Sequence, residues 1–291
     1  MLEGILIKRY AGFYYVMVGD KIWECSLRGR FRKQKQDFLP GDRVCINVLD
    51  EKKGVIEEVL PRVNRLIRPP VANVEQVIVT FAFKNPDLDF LLLDRILVMV
   101  SYEKLKPVIC FNKADLADQQ EIENIVHVYR EVGYHVLVTS KYSKVGLDDL
   151  RLVLQGKISV FAGPSGAGKS SLLNALQSGL CIKTGDVSSK IGRGRHTTRY
   201  VQLMKLDFGG LVADTPGFSA LDLPPVSREH FDEYYPEIRR HADVCKFNSC
   251  LHNLEPGCSV KDAVLQGKID SHRYQRYLYL LQKVIDNERR Y

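Results

Sequence analysis

The sequence predicts three parts in a row: an N-terminal five-stranded OB-like β-barrel, a central α/β domain on an open, mostly parallel sheet, and a C-terminal α-helical segment stapled by a metal. Three observations predict it. Short runs that alternate apolar and polar residues fill positions 1 to 60; apolar runs alternate with amphipathic helical stretches from Val74 to Gly217; and three of the seven cysteines crowd around a histidine between Cys245 and Cys258. The boundaries expected are 1–68, 71–220 and 221–291. At 291 residues, 45% apolar and 26% charged, the chain has a globular composition with room for more than one core.

The barrel strands are expected at Leu2–Lys8, Phe13–Val18, Lys21–Leu27, Asp42–Val48 and Val55–Leu60, separated by Gly12, Gly19-Asp20, Pro40-Gly41 and Gly54. Five strands in so short a length make an OB-type barrel, with an SH3-like barrel as the alternative. Residues 1–70 hold 14 basic against 9 acidic residues, so most of the net charge of +7 lies here. Arg28, Arg30, Arg32, Lys33 and Lys35 surround Phe31 in what should be a loop. Such a loop suits a nucleic-acid backbone; a solvated surface loop is the plainer alternative. Arg68-Pro69-Pro70 should block regular structure and mark the boundary.

In the central part, strands are expected at Val77–Phe83, Pro107–Phe111, His135–Thr139, Ile158–Ala162, Val201–Leu206 and Leu211–Ala213, and helices at Phe90–Glu103, Gln119–Glu131, Leu147–Leu154 and Lys169–Leu176. The most apolar stretch, Phe90 to Val100, is broken by Asp94 and Arg95, so no segment reads as a membrane span. The first residues lack a basic leader, and a soluble, cytoplasmic protein is expected.

Gly163-Pro164-Ser165-Gly166-Ala167-Gly168-Lys169-Ser170 is a full G-x-x-x-x-G-K-[ST] match between a strand and a helix. Backbone N–H groups there can close on phosphate oxygens, Lys169 can reach the terminal phosphates, Ser170 can offer its hydroxyl to Mg2+, and Ser171 extends the same turn. Asn112-Lys113-Ala114-Asp115 follows another strand. The Asp115 carboxylate can accept from both N1–H and the 2-amino group of guanine, donors that adenine lacks, so GTP and GDP are expected over ATP. Thr139, Ser140 and Lys141, after the next strand, can supply a backbone donor to the guanine carbonyl. Asp214-Thr215-Pro216-Gly217 resembles the D-x-x-G of GTPases, in which Asp214 would hold the magnesium shell and the Gly217 N–H would sense the γ-phosphate. The segment Lys183–Arg199 between them would be the switch, with Thr197 or Thr198 as a magnesium ligand.

The usual GTPase begins with the phosphate loop. Here the base-reading loops precede it, so the reading is a central α/β P-loop GTPase domain with circularly permuted motif order. The chain also leaves the sheet right after D-x-x-G, so movement of that loop is expected to pull on the tail. The glutamine that orients water in Ras-like proteins has no counterpart, because Phe218 stands there. His196 is the candidate in its place, giving His196, Thr198 and Lys169 as the expected catalytic set. Cys245, Cys250, His252 and Cys258 offer three thiolates and an imidazole within 14 residues, enough for one closed, structural Zn2+ site. Cys25, Cys45, Cys110 and Cys181 read as small apolar residues.

Asn112–Asp115, Gly163–Ser170, Gly192-Arg-Gly-Arg-His-Thr-Thr198, Asp214–Phe218 and the Cys/His cluster, in this order behind a basic barrel, together resemble the ribosome small subunit-dependent GTPase A family over essentially the whole chain. The resemblance implies an OB-fold, a permuted GTPase domain and a zinc domain. It also implies a GTP/GDP cycle with Mg2+ and binding to the 30S subunit and its 16S rRNA in late maturation, with the subunit stimulating hydrolysis. A monomer is expected. A GTP-gated RNA-binding module with incidental hydrolysis is the alternative.

Overall fold

The computed structural model describes residues 1–29, 31, 37–67, 69–178, 180, 201–214 and 223–289. Strands β1 (Leu2–Tyr10), β2 (Phe13–Val18), β3 (Lys21–Leu27), β4 (Arg43–Val48) and β5 (Lys53–Val59) close into a barrel in the order β1-β2-β3-β5-β4. Neighbours are antiparallel except β3 and β5, which run parallel with Leu27 opposite Ile56; this closure is OB-type and settles the choice against an SH3-like barrel. Alternation sends Tyr14, Val16, Trp23, Cys25, Val44, Ile46 and Ile56 inward. A register break in β1 between Leu6 and Lys8 lets two successive residues be buried on different sides: Leu6 enters the barrel core and Ile7 joins the core of the next domain.

Two expectations about the barrel change. Phe31 is buried in the barrel core, edge-on to Phe38 at 5.6 Å, so it is not a surface ring for stacking bases, and Arg28 pairs with Glu57. Gly54 lies inside β5 rather than in a turn. The remaining loop cations, Arg30, Arg32, Lys33 and Lys35, lie outside the described residues.

Pro69 and Pro70 do not end regular structure. They form the turn of a small hairpin between β6 (Arg65–Leu66) and β7 (Val71–Ala72), where the missing proline N–H leaves no ladder bond unmade. The hairpin ties the barrel to the sheet. The N–H of Ala72 donates to the Pro40 carbonyl (2.8 Å), Asn73 Nδ2 to the Gly41 carbonyl (2.9 Å), and buried Asp42 accepts from Arg62 (2.6 Å).

The sheet contains β8 (Gln76–Ala82), β9 (Lys106–Asn112), β10 (His135–Val138), β11 (Ile158–Ala162), β12 (Gln202–Lys205) and β13 (Leu211–Asp214), in the order β10-β9-β8-β11-β13-β12. All neighbours are parallel except β12 on β13. Helices cover both faces, which is why the strands are continuously apolar rather than alternating. Val77, Val79 and Phe81 face α1 (Phe90–Tyr102) and α2 (Gln119–Val132), whereas Ile78 faces α3 (Leu147–Leu154) and α4 (Lys169–Leu176). Edge strand β12 lies against β1 of the barrel.

The tail comprises a 3-10 helix (Arg228–Tyr234), α5 (Pro236–Ala242), α6 (Ser259–Leu265) and α7 (Ser271–Glu288). Pro236 starts α5 and Asp270 caps α7 by accepting from the Arg273 N–H (2.7 Å). Its core of Phe231, Tyr235, Ile238, Val260, Tyr277 and Leu281 is completed by Val98 and Leu91 of α1. The tail is therefore not held only by its link to the D-x-x-G loop. Arg273, 1% exposed, donates to Asp94 of α1 (2.5 Å) and to Glu237 of α5, and Arg276 takes the other Asp94 oxygen (2.5 Å). No helix among the described residues is long and apolar enough to cross a membrane.

Candidate functional site

At the C-terminal edge of the sheet, the ends of β9, β10 and β11 come together. This edge is where ligands of open α/β sheets sit. The chain turns from β11 into α4 through Gly163, Gly166 and Gly168, with φ of 128°, 78° and 94°. Two of these cannot carry a side chain: a Cβ on Gly163 would lie 2.0 Å from the Thr80 carbonyl oxygen, and one on Gly168 would lie 2.2 Å from Asn112 Nδ2. Ser165 is exposed, Ala167 is buried, and Pro164, Ser170 and Ser171 are half-buried. No side chain caps the start of α4, so its first N–H groups are available to an anion. Lys169 Nζ bonds the carbonyls of Gly163 (2.8 Å) and Pro164 (2.7 Å), and burial pushes its pKa down to about 8.

The second loop is bonded to the first. Asn112, at the end of β9, donates through Nδ2 to the Ala167 carbonyl (2.8 Å) and accepts at Oδ1 from Thr139 (3.1 Å). Behind it Cys110 Sγ contacts Thr139 Oγ1 at 3.3 Å, and burial pushes this thiol up to about 12, so it is an inert core residue. Lys113 takes a left-handed φ of 58° and bonds the Asn85 carbonyl, which turns the chain into the short helix Ala114–Leu116 bearing Asp115. Ser140 donates to Asp115, while its oxygen accepts from the N–H groups of Tyr142 and Ser143 (both 3.2 Å). Lys141 lies over the Tyr142 ring at 4.6 Å.

Asp214 ends β13 directly after Ala213, which pairs with Val160 of β11, so its backbone lies at the same edge as the glycine loop. His196, Thr197, Thr198, Gly217 and Phe218 lie outside the described residues.

In the tail, the ligand atoms of Cys245, Cys250, His252 and Cys258 all lie within 4.8 Å of one another. Cys245 and Cys258 Sγ are 3.9 Å apart, and each is 3.5 Å from His252 Nδ1. A tetrahedron with zinc–sulfur bonds near 2.3 Å and zinc–nitrogen bonds near 2.0 Å has edges of about 3.5 to 3.8 Å, so the donor set fits that ion. Burial lowers the His252 pKa and favours the neutral imidazole, the form that ligates metals. Asp232 faces Nε2 at 4.0 Å.

Two features escaped the sequence reading. The sequence reading treats Asp94 only as a break in the apolar run Phe90–Val100; a carboxylate in such a run is a cue for a buried partner, but nothing in the sequence names Arg273. On the barrel hairpin, Lys8 lies over Tyr15 (4.6 Å) and Arg9 over Tyr14 (5.5 Å), with Tyr10 and Phe13 exposed beside them. Tyr14 belongs to the barrel core and Tyr15 packs toward the sheet domain, so the exposed part of this hairpin is Arg9 with the rings of Tyr10 and Phe13, a grouping that depends on the pairing of β1 and β2.

Residues 59–224 match the RsgA GTPase family, and residues 3–56 match the RsgA N-terminal domain. The chain is 52% identical to the small ribosomal subunit biogenesis GTPase RsgA of Moorella thermoacetica over 288 residues, 99% of both chains. It is 48% identical to the same-named protein of Geobacillus kaustophilus, covering all of both chains. Two solved structures align along their length: YloQ, described as a circularly permuted GTPase (TM-score 0.83, 40% identity, 99% of this chain and 96% of that one), and YjeQ from Thermotoga maritima (TM-score 0.85, 36% identity, 98% of each). With both nucleotide-loop motifs, their permuted order and the closed barrel in place, the chain belongs to the RsgA GTPase family.

Proposed function

We propose that this protein hydrolyses GTP while bound to the small ribosomal subunit and assists that subunit's late maturation, with residues 1–68, 71–220 and 221–291 as its RNA-binding barrel, GTPase domain and zinc domain. The observation that carries the reading is the Asn112–Ala167 hydrogen bond, which joins a base-selecting loop to a phosphate-shaped loop at one sheet edge. Asp115, oriented by Ser140, accepts the guanine N–H groups; Thr139 holds Asn112 in place, and Ser140 and Lys141 border the base. Gly163 to Ser171 cradle the phosphates. Lys169 leaves its two loop carbonyls to meet the terminal phosphates, whose negative charge favours its charged form.

Ser170, Asp214 and Thr198 would hold a magnesium ion, which neutralises phosphate charge during hydrolysis. His196 accepts a hydrogen bond from the attacking water and orients it, Gly217 contacts the γ-phosphate through its N–H, and Phe218 shields the site. Cys245, Cys250, His252 and Cys258 would hold one structural zinc ion, which fixes the tail loop. The barrel meets 16S rRNA through Arg9, Tyr10 and Phe13 at the β1–β2 hairpin and the basic residues from Arg28 to Lys35. The protein acts as a monomer in the cytoplasm.

Single-turnover hydrolysis with saturating GTP, with and without 30S subunits, tests the reading. Subunits should accelerate the wild type, and His196→Ala should lose roughly 10- to 1,000-fold of the stimulated rate while keeping GTP affinity. A subunit-independent rate, or a wild-type affinity equal for ATP and GTP, contradicts it.

A further inference from the structure

The tail grips the two helices that flank the base-reading strand. β9 ends at Asn112; α1 precedes it in the chain and α2 follows. From α7, Arg273 and Arg276 divide the two oxygens of Asp94 on α1. The Arg273 guanidinium also lies 5.0 Å from the ring of Tyr129, on α2, and 5.5 Å from that of Tyr134 just beyond it. From α5, Arg240 donates to the carbonyls of Val132 and Glu131 in the last turn of α2. Gly133 ends that helix with φ 102°, and a Cβ there would come within 3.3 Å of the Arg240 guanidinium, so the same residue closes the helix and admits the cation. The last carbonyls of a helix lack internal partners and carry its negative end; Arg240 meets both needs.

Buried ions hold elements together no more tightly than apolar side chains of equal volume would. They do specify orientation. A planar guanidinium between Asp94, Glu237 and the rings of Tyr129, Tyr134 and Tyr235 defines one seating of α7 against α1 and α2. At its other end α2 is capped by Asp118, which accepts from the Glu121 N–H (2.8 Å), directly after the turn bearing Asp115. α2 is thus a 14-residue lever with tail arginines at one end and the base-reading carboxylate at the other.

We propose that the zinc tail is a positioning element of the guanine site, with Arg240 and Arg273 fixing α2 and thereby the placement of Asp115. This rests on Asp115 reading guanine, as above. A partner that strains the tail then loosens the nucleotide, and by thermodynamic reciprocity guanine nucleotide biases the tail toward or away from that partner.

The test uses the full-length, zinc-loaded protein and the release rate of fluorescently labelled GDP. Arg240 is exposed, so its variants should fold. Arg240→Glu should speed GDP release roughly three- to tenfold and raise KM for GTP with kcat unchanged, Arg240→Gln should do so less, and Arg240→Lys should recover most of the wild-type rate, while zinc content and melting temperature stay near wild type. Unchanged release in Arg240→Glu with the tail folded overturns the positioning role, as does a loss confined to kcat. If wild type binds labelled ADP as well as labelled GDP, the guanine reading itself has failed, and the proposal with it.

Discussion

The central sheet is held at two places by different physics. On the barrel side the joint is made of neutral hydrogen bonds, Ala72 to Pro40 through backbone and the Asn73 and Asn64 side chains to the backbone of Gly41 and Val74, backed by Ile7, Leu66 and Val71 in one apolar cluster. On the tail side it is made of buried charge, Arg273 and Arg276 against Asp94 and Glu237. A joint of neutral hydrogen bonds and apolar contacts loses only about 1 to 3 kcal/mol when one side chain goes, because the groups left behind carry no charge. An ion cluster fails when any member is lost, because the partner stays behind, buried and uncompensated.

The largest break should come from zinc. Structural zinc sites contribute on the order of 10 kcal/mol of folding free energy, so Cys258→Ser or strong chelation should melt the tail while the rest still binds GTP. Elemental analysis with circular dichroism and a GTP-binding assay checks this; a metal-free protein with an intact tail refutes it. Next comes Asp94→Ala, which leaves buried Arg273 with Glu237 as its one acid and Arg276 with none from this cluster, and should cost about 3 to 5 kcal/mol in chemical denaturation. A loss under about 1 kcal/mol would mean that water compensates Arg273. On the barrel side, Asp42→Ala leaves the Leu39 N–H unpaired, but Arg62 can hydrate, so about 1 to 3 kcal/mol is expected and the barrel should stay attached. If it costs as much as Asp94→Ala, the contrast between the joints is wrong.

The smallest effect should belong to neither joint. Lys169 titrates near 8 without ligand because burial disfavours its charge. Phosphate contact would raise that value, so binding takes up a proton above pH 8. Affinity should be flat below pH 8 and fall by up to about tenfold per unit above it. Isothermal titration in buffers of differing ionisation heat measures the proton uptake, and the profile should be the same in Asp42→Ala. A flat profile to pH 10 would show that Lys169 stays charged without ligand.

How much of this was legible follows the range of the interactions. Helices at Leu147–Leu154 and Lys169–Leu176 and the strand Ile158–Ala162 end where the pattern of residues puts them, since glycine punctuation and apolar period are local. The strand–loop–helix shape around Gly163–Gly168 was legible because backbone conformation there depends on the glycines themselves. The turn at Pro69-Pro70 was misjudged because proline forbids pairing only at its own nitrogen, and Leu66 and Val71 on either side could still pair. Phe31 was misplaced because five flanking charges say nothing about which way the ring between them faces. The tail joint was hidden for a different reason: Asp94 and Arg273 are 179 residues apart, and no local pattern links them.

That separation also sets a schedule. During synthesis, Asp94 leaves the ribosome on an apolar helix with Val98 and Leu91 uncovered; the Tyr129 hydroxyl follows 35 residues later, but its first arginine partner only after 179. At about 5 to 20 residues per second this is a wait of roughly 10 to 40 seconds. Strands β8, β9 and β10 can pair in that time and α1 can lay Leu93, Ile96, Leu97 and Val100 on them, but its side bearing Asp94 and Val98 stays uncovered. A chain cut short anywhere before Arg273 therefore carries an exposed charged and greasy helix, the kind of surface that quality-control proteases and chaperones bind, and the last long helix serves as the molecule's certificate of completion.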